Sequence, residues 1–372
     1  MKVLVCFGTR PEAIKMAPVI YALKQQDVEY RVCVTAQHRE MLDQVMEFFK
    51  IEPDYDLDLM KPGQDLNILS SDIFKSIHEI LLKENPKIVL VQGDTTTAFI
   101  IAMAAFNSGI KVGHIEAGLR TYNTESPFPE EANRQMISRI ADFHFIPTKK
   151  SGDNLLKEMI SEDKIFFTGN TVVDSLEFGK KLLQSGYKSE EIRELELKLI
   201  SGKKVILVTG HRRENFEHGL SEICEALLEI AKREDVQIVF PVHPNPKVKD
   251  IVYEKLNHIA NIDLIEPVSY PTILWLLMKC NFIISDSGGI QEEAPSFNKV
   301  VLVTREETER MEAVDAGFCI LTGSSKDKIL DESIQLLSDT GNEPTPTNNP
   351  FGDGKASERI VEVLLIEFKV SS

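Results

Sequence analysis

Short, almost wholly apolar runs rich in β-branched residues recur along this chain, and nearly all are followed by a polar turn and a helical stretch. Lys2–Phe7, Tyr30–Thr35, Lys87–Gln92, Val112–Ile115, Phe143–Ile146 and Ile165–Thr168 are such runs. Strands apolar on both faces must be covered on both faces, which requires parallel strands joined by crossover helices. Ala13–Gln25, Arg39–Phe49, Leu66–Glu84, Thr95–Ser108 and Pro129–Ile140 supply those crossovers. The pattern restarts with strands at Lys204–Thr209, Val236–Pro241, Asp263–Ile265, Phe282–Ser285 and Val300–Val303, and with helices at Gly219–Lys232, around Tyr253–Asn257 and from Gly289. The expected fold class is α/β with two doubly wound domains, which suits 372 residues. The break falls near Thr168-Gly169-Asn170-Thr171, giving domains over residues 1–168 and 169–354 and a closing helical segment over 355–372. The charged stretch Glu177–Ile200 is expected to be helical, and Asn342–Pro350 to be a surface loop.

The formal net charge is −16, with 42 Lys plus Arg against 58 Asp plus Glu. A general nucleic-acid binder needs a basic face to displace counterions, so that class is set aside. An anionic small ligand is not, because local placement of cations outweighs the total. The five cysteines, Cys6, Cys33, Cys224, Cys280 and Cys319, form no Cys-x-x-Cys pair and most sit in apolar runs, as expected of reduced, buried thiols in a cytosolic protein. The opening apolar run stops at Gly8-Thr9-Arg10, too short for a signal peptide, and no stretch approaches the ~20 apolar residues of a membrane span. The expectation is a soluble, untargeted, cytoplasmic protein.

In open α/β sheets, ligands bind at the carboxyl ends of strands, so polar residues there are the candidates. Gly8-Thr9-Arg10-Pro11-Glu12-Ala13-Ile14-Lys15 is neither a Gly-x-Gly-x-x-Gly nor a Walker A loop. It sets Arg10 and Lys15 near a helix amino terminus, a favourable place for an anion; a plain turn with solvated cations is the alternative. Ser285-Asp286-Ser287-Gly288-Gly289 runs from a strand directly into a helix, so backbone amides can approach a phosphate, with Glu292 or Glu293 one turn on for ribose hydroxyls. His211 and Arg212, after the strand Lys204–Thr209, make a cationic clamp, or His211 satisfies a buried carbonyl. Three acids follow strands or open helices in the first half: Asp94, Glu116 and Glu130. Carboxylates on separate loops facing one cleft suit acid–base chemistry. Asp94 has an alternative role as the N-cap of the Thr95 helix, and Glu130 as a first-turn acid. No metal-ligand spacing emerges, and no nucleophile elbow or Cys-His arrangement.

Taken in order, these blocks resemble the non-hydrolysing UDP-N-acetylglucosamine 2-epimerases. The shared blocks include Gly8 to Pro18, Thr35-Ala36-Gln37-His38-Arg39, Gly93-Asp94-Thr95-Thr96, Glu116-Ala117-Gly118-Leu119-Arg120-Thr121 and Pro127 to Arg134. They continue with Thr168-Gly169-Asn170-Thr171, Gly210 to Asn215, Asp286 to Pro295 and Asn349 to Gly354. The resemblance implies two Rossmann-like domains in the GT-B arrangement, an interdomain cleft, and a carboxy-terminal helix packing back on the first domain. It implies reversible conversion of UDP-GlcNAc to UDP-ManNAc through UDP elimination to 2-acetamidoglucal and re-addition, with no cofactor and no metal. It assigns Asp94, Glu116, Glu130 and His211 as catalytic residues. Arg10, Lys15, Arg212, Ser287, Gly288, Gly289, Glu293 and Arg310 become substrate contacts. Gln37 and His38 fall in a loop linked to a second UDP-GlcNAc acting as activator, and the family points to a homodimer. The sequence departs from the usual pattern at Gln92, where the family has His, at Gly63, where some allosteric members have Arg, and in Arg305-Glu306-Glu307-Thr308-Glu309-Arg310-Met311. A GT-B glycosyltransferase, a hydrolysing epimerase, an epimerase of a related UDP-sugar and a non-enzymatic nucleotide-sugar sensor are the rival functions. The acids around the sugar's second carbon argue against transferase and sensor.

Overall fold

The computed structural model describes residues 1–36, 39–60, 63–210, 219–308, 310–338 and 349–370. The chain divides into two compact units, one formed by Met1–Phe178 with Phe351–Ser372 and the other by Gly179–Pro350.

The first unit is built on strands β1 (Lys2–Phe7), β2 (Glu29–Val34), β3 (Tyr55–Asp56), β4 (Ile88–Gln92), β5 (Lys111–Ile115), β6 (Phe143–Ile146) and β7 (Ile165–Phe167). They form one parallel sheet in the order β3-β2-β1-β4-β5-β6-β7. Val3 to Phe7 and Ile88 to Val91 are buried at every position, so both faces are covered, as the unbroken apolar runs require. Helices Leu66–Glu84, Thr96–Asn107 and Glu130–Ile140 pack side by side, and Arg10–Gln25 packs with Arg39–Phe48 and Ala356–Val370. Asp174 anchors that last helix: its buried carboxylate accepts from the backbone N–H of Ser357 at 2.8 Å and of Ala356 at 3.2 Å, and from the Ser357 hydroxyl.

The second unit repeats the scheme with β8 (Lys204–Thr209), β9 (Val236–Pro241), β10 (Ile262–Ile265), β11 (Phe282–Ser285), β12 (Val301–Val303) and β13 (Cys319–Leu321). The parallel order is β10-β9-β8-β11-β12-β13. Helices Gly219–Ile230, Pro246–Leu256 and Lys326–Ser338 enclose one core with Ile206, Val208, Ile238, Phe240 and Ile284. The α/β expectation with two doubly wound sheets is met. The charged stretch expected to be helical over Glu177–Ile200 forms two helices, Thr171–Gln184 and Glu190–Lys198. Gly186 at φ +102° turns the chain between them, and Ser189 caps the second by accepting from Ile192 N at 3.3 Å.

All five cysteines are buried and free. Burial pushes the Cys224, Cys280 and Cys319 thiols up to about 12, so none is poised as a thiolate nucleophile.

Candidate active site

A doubly wound sheet binds ligands where its strand order reverses. In the first sheet that point lies between β1 and β4, and in the second between β8 and β11. The described candidates taken from strand ends, among them Asp94, Glu116 and Ser287, fall at or beside these two points.

At the first, the loop after β1 is held by a buried carboxylate. Glu12 Oε2 accepts from Gly8 N at 3.0 Å and from Thr9 N and Thr9 Oγ1 at 2.8 Å, while its Oε1 accepts from Thr95 Oγ1 at 2.7 Å. One acid therefore ties the loop after β1 to the loop after β4. Burial raises its proton affinity against those four donors, yet the donors are what an ionised carboxylate needs. Gly8 is glycine for lack of room: a Cβ there would stand 2.2 Å from Thr35 Oγ1 and 2.7 Å from Thr97 Oγ1.

The acids gather around this frame. Glu116 follows β5 in the left-handed region, at φ +65°. Its Oε2 accepts from Gln92 Nε2 at 2.6 Å and from Lys15 Nζ. Asp94 follows β4, where Arg134 Nε reaches its Oδ2 at 3.1 Å and Arg134 Nη2 binds the same oxygen. Asn133 Nδ2 donates to the Asp94 carbonyl at 2.9 Å. Burial raises the Asp94 carboxyl above its ordinary value, Arg134 opposes that rise, and the Glu116 charge adds to it. The alternative of Asp94 as a helix N-cap does not hold, since Thr95 takes that place, accepting from Ala98 N at 3.0 Å. Glu130 opens its helix, half-buried, and neither it nor half-buried Arg10 makes an ion pair among the described residues. Its neighbour Glu131 has a different job. Burial acts to raise that carboxyl, but N–H donors from Thr121, Gln135 and Tyr122 prevail and hold it low.

A further histidine lies beneath. His114 Nε2 is 2.7 Å from the Gly93 carbonyl, one residue before Asp94. Burial lowers its ring to about 4, which keeps it neutral and fixes Nε2 as the donor.

In the second unit, Ser287 is the N-cap of the helix Gly288–Glu293, its Oγ accepting from Ile290 N at 3.5 Å. The amides of Gly288 and Gly289 open that helix, where N–H groups lack an intrahelical acceptor. The Arg310 guanidinium lies against Gly288, so a Cβ there would be 2.9 Å from Arg310 Cζ. Arg310 Nε and Nη2 bind Glu292 Oε1 at 3.0 and 2.9 Å. Glu293 is half-buried at the end of the same helix, and Glu307 is exposed. His211 and Arg212, and likewise Gln37 and His38, lie outside the described residues.

The first unit thus brings Asp94, Glu116 and Lys15 together, and the second brings Ser287, Gly288 and Arg310 together. Gln92, Glu12 and Arg134 were not singled out in the sequence as site residues. Arg134 carried one readable signal, its i, i+3 spacing from Glu131 on a helix opened by acids. Among the described residues no group of three or more His, Cys, Asp or Glu side chains is placed to hold a metal ion.

Known proteins resemble this chain over nearly its whole length. The family model for UDP-N-acetylglucosamine 2-epimerase matches residues 21–365. The chain is 50% identical over 373 residues to a UDP-N-acetylglucosamine 2-epimerase of Campylobacter jejuni, covering 98% of this chain and 97% of that protein. It superposes with a TM-score of 0.86 on the UDP-GlcNAc 2-epimerase of Neisseria meningitidis bound to UDP-GlcNAc, at 47% identity, covering 98% of this chain and all of the other. The Methanocaldococcus jannaschii UDP-GlcNAc 2-epimerase in complex with UDP-GlcNAc and UDP gives a TM-score of 0.79 at 34% identity, covering 98% of this chain and 100% of that one. By sequence over nearly its whole length and by fold in both units, the chain belongs to the UDP-N-acetylglucosamine 2-epimerase family.

Proposed function

We propose that this protein interconverts UDP-GlcNAc and UDP-ManNAc. The observation that carries the proposal is the pairing at the first switch point. There, two part-buried acids from adjacent strand ends, Asp94 and Glu116, each face a cation, Arg134 and Lys15. Inversion at C2 needs a group that removes a proton and a group that returns one to the opposite face.

In the reaction proposed, the C2–H bond breaks as its proton passes to a carboxylate, and the C1–O bond to the diphosphate breaks with the electron pair leaving on UDP. The C1=C2 bond of 2-acetamidoglucal forms. A proton then returns to C2 on its other face, and the UDP oxygen re-forms the bond to C1. Asp94, Glu116, Glu130 and His211 are the proton-moving and leaving-group-stabilising residues of this scheme. Lys15, Arg10 and Arg212 bind the sugar diphosphate from the loops after β1 and β8. The Ser287-Gly288-Gly289 turn and Arg310 receive phosphate, and Glu293 the ribose. The domain bounds proposed are residues 1–168 and 169–354, with residues 355–372 returning to the first. Gln37 and Gln37's neighbour His38 belong to the loop proposed to take a second, activating UDP-GlcNAc.

The protein is proposed to act as a cytoplasmic homodimer. No helix among the described residues is long and apolar enough to cross a membrane.

The test is NMR of UDP-GlcNAc incubated with the protein in D₂O. Deuterium entering C2 together with the manno epimer is the expected result. Asp94→Asn and His211→Ala should each suppress both signals. Unchanged UDP-GlcNAc with no C2 exchange overturns the proposal, and normal epimerisation by both variants overturns the roles given to Asp94 and His211.

A further inference from the structure

Gln92 ends β4 and is 3% exposed. Its register partner is Ile115, the last residue of β5, so its side chain stands beside the first residue beyond that strand, Glu116. Nε2 of Gln92 lies 2.6 Å from Glu116 Oε2, the same oxygen that Lys15 contacts. An ionised carboxylate only accepts hydrogen bonds, so the amide must donate. Glu116 holds φ at +65°, a region that costs energy for a residue with a side chain. Its aim therefore depends on what grips the carboxylate.

The two grips differ in kind. Lys15 brings a positive charge, whereas Gln92 brings a neutral donor that no pH change in the working range can remove. Among the described residues, the other charged or titratable groups near Glu116 include Asp94, with Arg134 on its far side, and neutral His114 behind the Gly93 carbonyl, on which Arg120 also acts.

We propose that Gln92 is a positioning residue for Glu116, orienting its carboxylate and holding it as an acceptor without adding a charge or a titration of its own. The inference rests on the proposed epimerisation, in which Glu116 moves a proton at C2. Gln92 touches no substrate in this scheme and acts through Glu116 alone.

The experiment measures kcat and KM for UDP-GlcNAc epimerisation from acid to alkaline pH, with the full-length wild type, Gln92→Met and Gln92→Glu. Met keeps the volume and removes the donor. It should lower kcat on the order of tenfold or more while KM stays within about twofold, because a charge-assisted hydrogen bond is lost and substrate contacts are not. The introduced carboxyl of Gln92→Glu reproduces the missing donor only while the pair of acids shares one proton. Its kcat relative to wild type should therefore be highest at acid pH and fall steadily as pH rises. A merely structural role would lower both variants by a factor that does not change with pH.

The inference is overturned if Gln92→Met stays within about twofold of wild type, or if the Gln92→Glu ratio is flat or climbs with pH. Should Gln92→Met fail to fold, the Gln92→Glu ratio alone decides. A wild type that does not epimerise UDP-GlcNAc sinks the proposed function and this inference with it. An active wild type with unaffected variants sinks the inference alone.

Discussion

Asp94 and Glu116 sit at neighbouring strand ends yet are gripped differently. Glu116 shares one oxygen between an amide and an ammonium, whereas Asp94 is bound by a guanidinium that approaches through two nitrogens. Burial is the main influence on the Asp94 carboxyl and raises it, and Arg134 is the main restraint on that rise. Replacing Arg134 with Met removes the restraint and leaves burial and the Glu116 charge acting in the same direction. The limb of the pH–kcat profile that Asp94 governs should then move upward, whether Asp94 works as acid or as base. A pH titration of the variant checks this, and a limb left in place would mean that Asp94 does not set it. Glu131 binds Arg134 from the other side at 3.2 Å while accepting two backbone N–H groups of the loop after β5. One arginine thus links the acid after β4 to the loop that carries Glu116.

Two glycines at the ends of elements show how the same addition of a methyl group should act in opposite ways. At Gly118, φ is +87° and a Cβ would stand 2.3 Å from the Ser151 carbonyl oxygen, a backbone atom in the helix Lys149–Lys157. Neither strain nor clash can be relieved by a rotamer, so Gly118→Ala should lower stability by about 2 kcal/mol or more and shift the Glu116 loop. At Gly288 the obstacle is the Arg310 guanidinium, the far end of a flexible side chain. Gly288→Ala should leave the melting temperature nearly unchanged and raise KM for UDP-GlcNAc several-fold, since the cation is displaced from the helix start. Thermal unfolding and steady-state kinetics on the two variants separate these outcomes. A destabilised Gly288→Ala with normal KM would count against a phosphate role for that turn. The elements that position these glycines were unevenly legible in the sequence. β8, β11 and the helix Leu66–Glu84 show their bounds in their apolar runs and caps, because burial on both faces or on one stripe writes itself into the pattern. β3 is two residues long among acids, and Lys149–Lys157 is short with Leu155 and Leu156 as its only large apolar residues, so neither announces itself as an element. Tyr270–Lys279 is apolar almost throughout, which leaves helix and strand undistinguished. At the site, Asp94 and Glu116 stood out by their place at strand ends. The roles of Arg134 and Gln92 arise from pairings across 40 and 24 residues, which no local pattern encodes.

For the molecule as a whole, the two sheets solve one problem twice, placing polar loops at the reversal of strand order above a largely apolar interior. The first sheet breaks that rule with a pair of histidines side by side on β5 and β6, in register and fully buried. His114 keeps its hydrogen bond to Gly93, but neither ring nitrogen of His144 has a partner among the described residues. Burial above all, then the nearby His114, lowers the His144 ring from its ordinary 6.5 to about 3, and burial lowers His114 to about 4. The unfolded chain therefore binds more protons than the folded one below a pH of about 6.5. Stability contributed by keeping these rings neutral is complete above that value and is lost as pH falls toward the folded values. At a pH of about 5 the loss amounts to about 2 kcal/mol for each ring. His144→Leu removes one titrating ring and an unsatisfied polar group without emptying the site. Its stability relative to wild type should rise as pH is lowered from about 7 to about 5, by about 2 kcal/mol, whatever small offset repacking gives at neutral pH. Denaturant unfolding of both proteins at several pH values measures the difference directly. If the two curves descend in parallel, the ring of His144 is not what makes this fold sensitive to acid, and the burden falls on the carboxylates of the site above it.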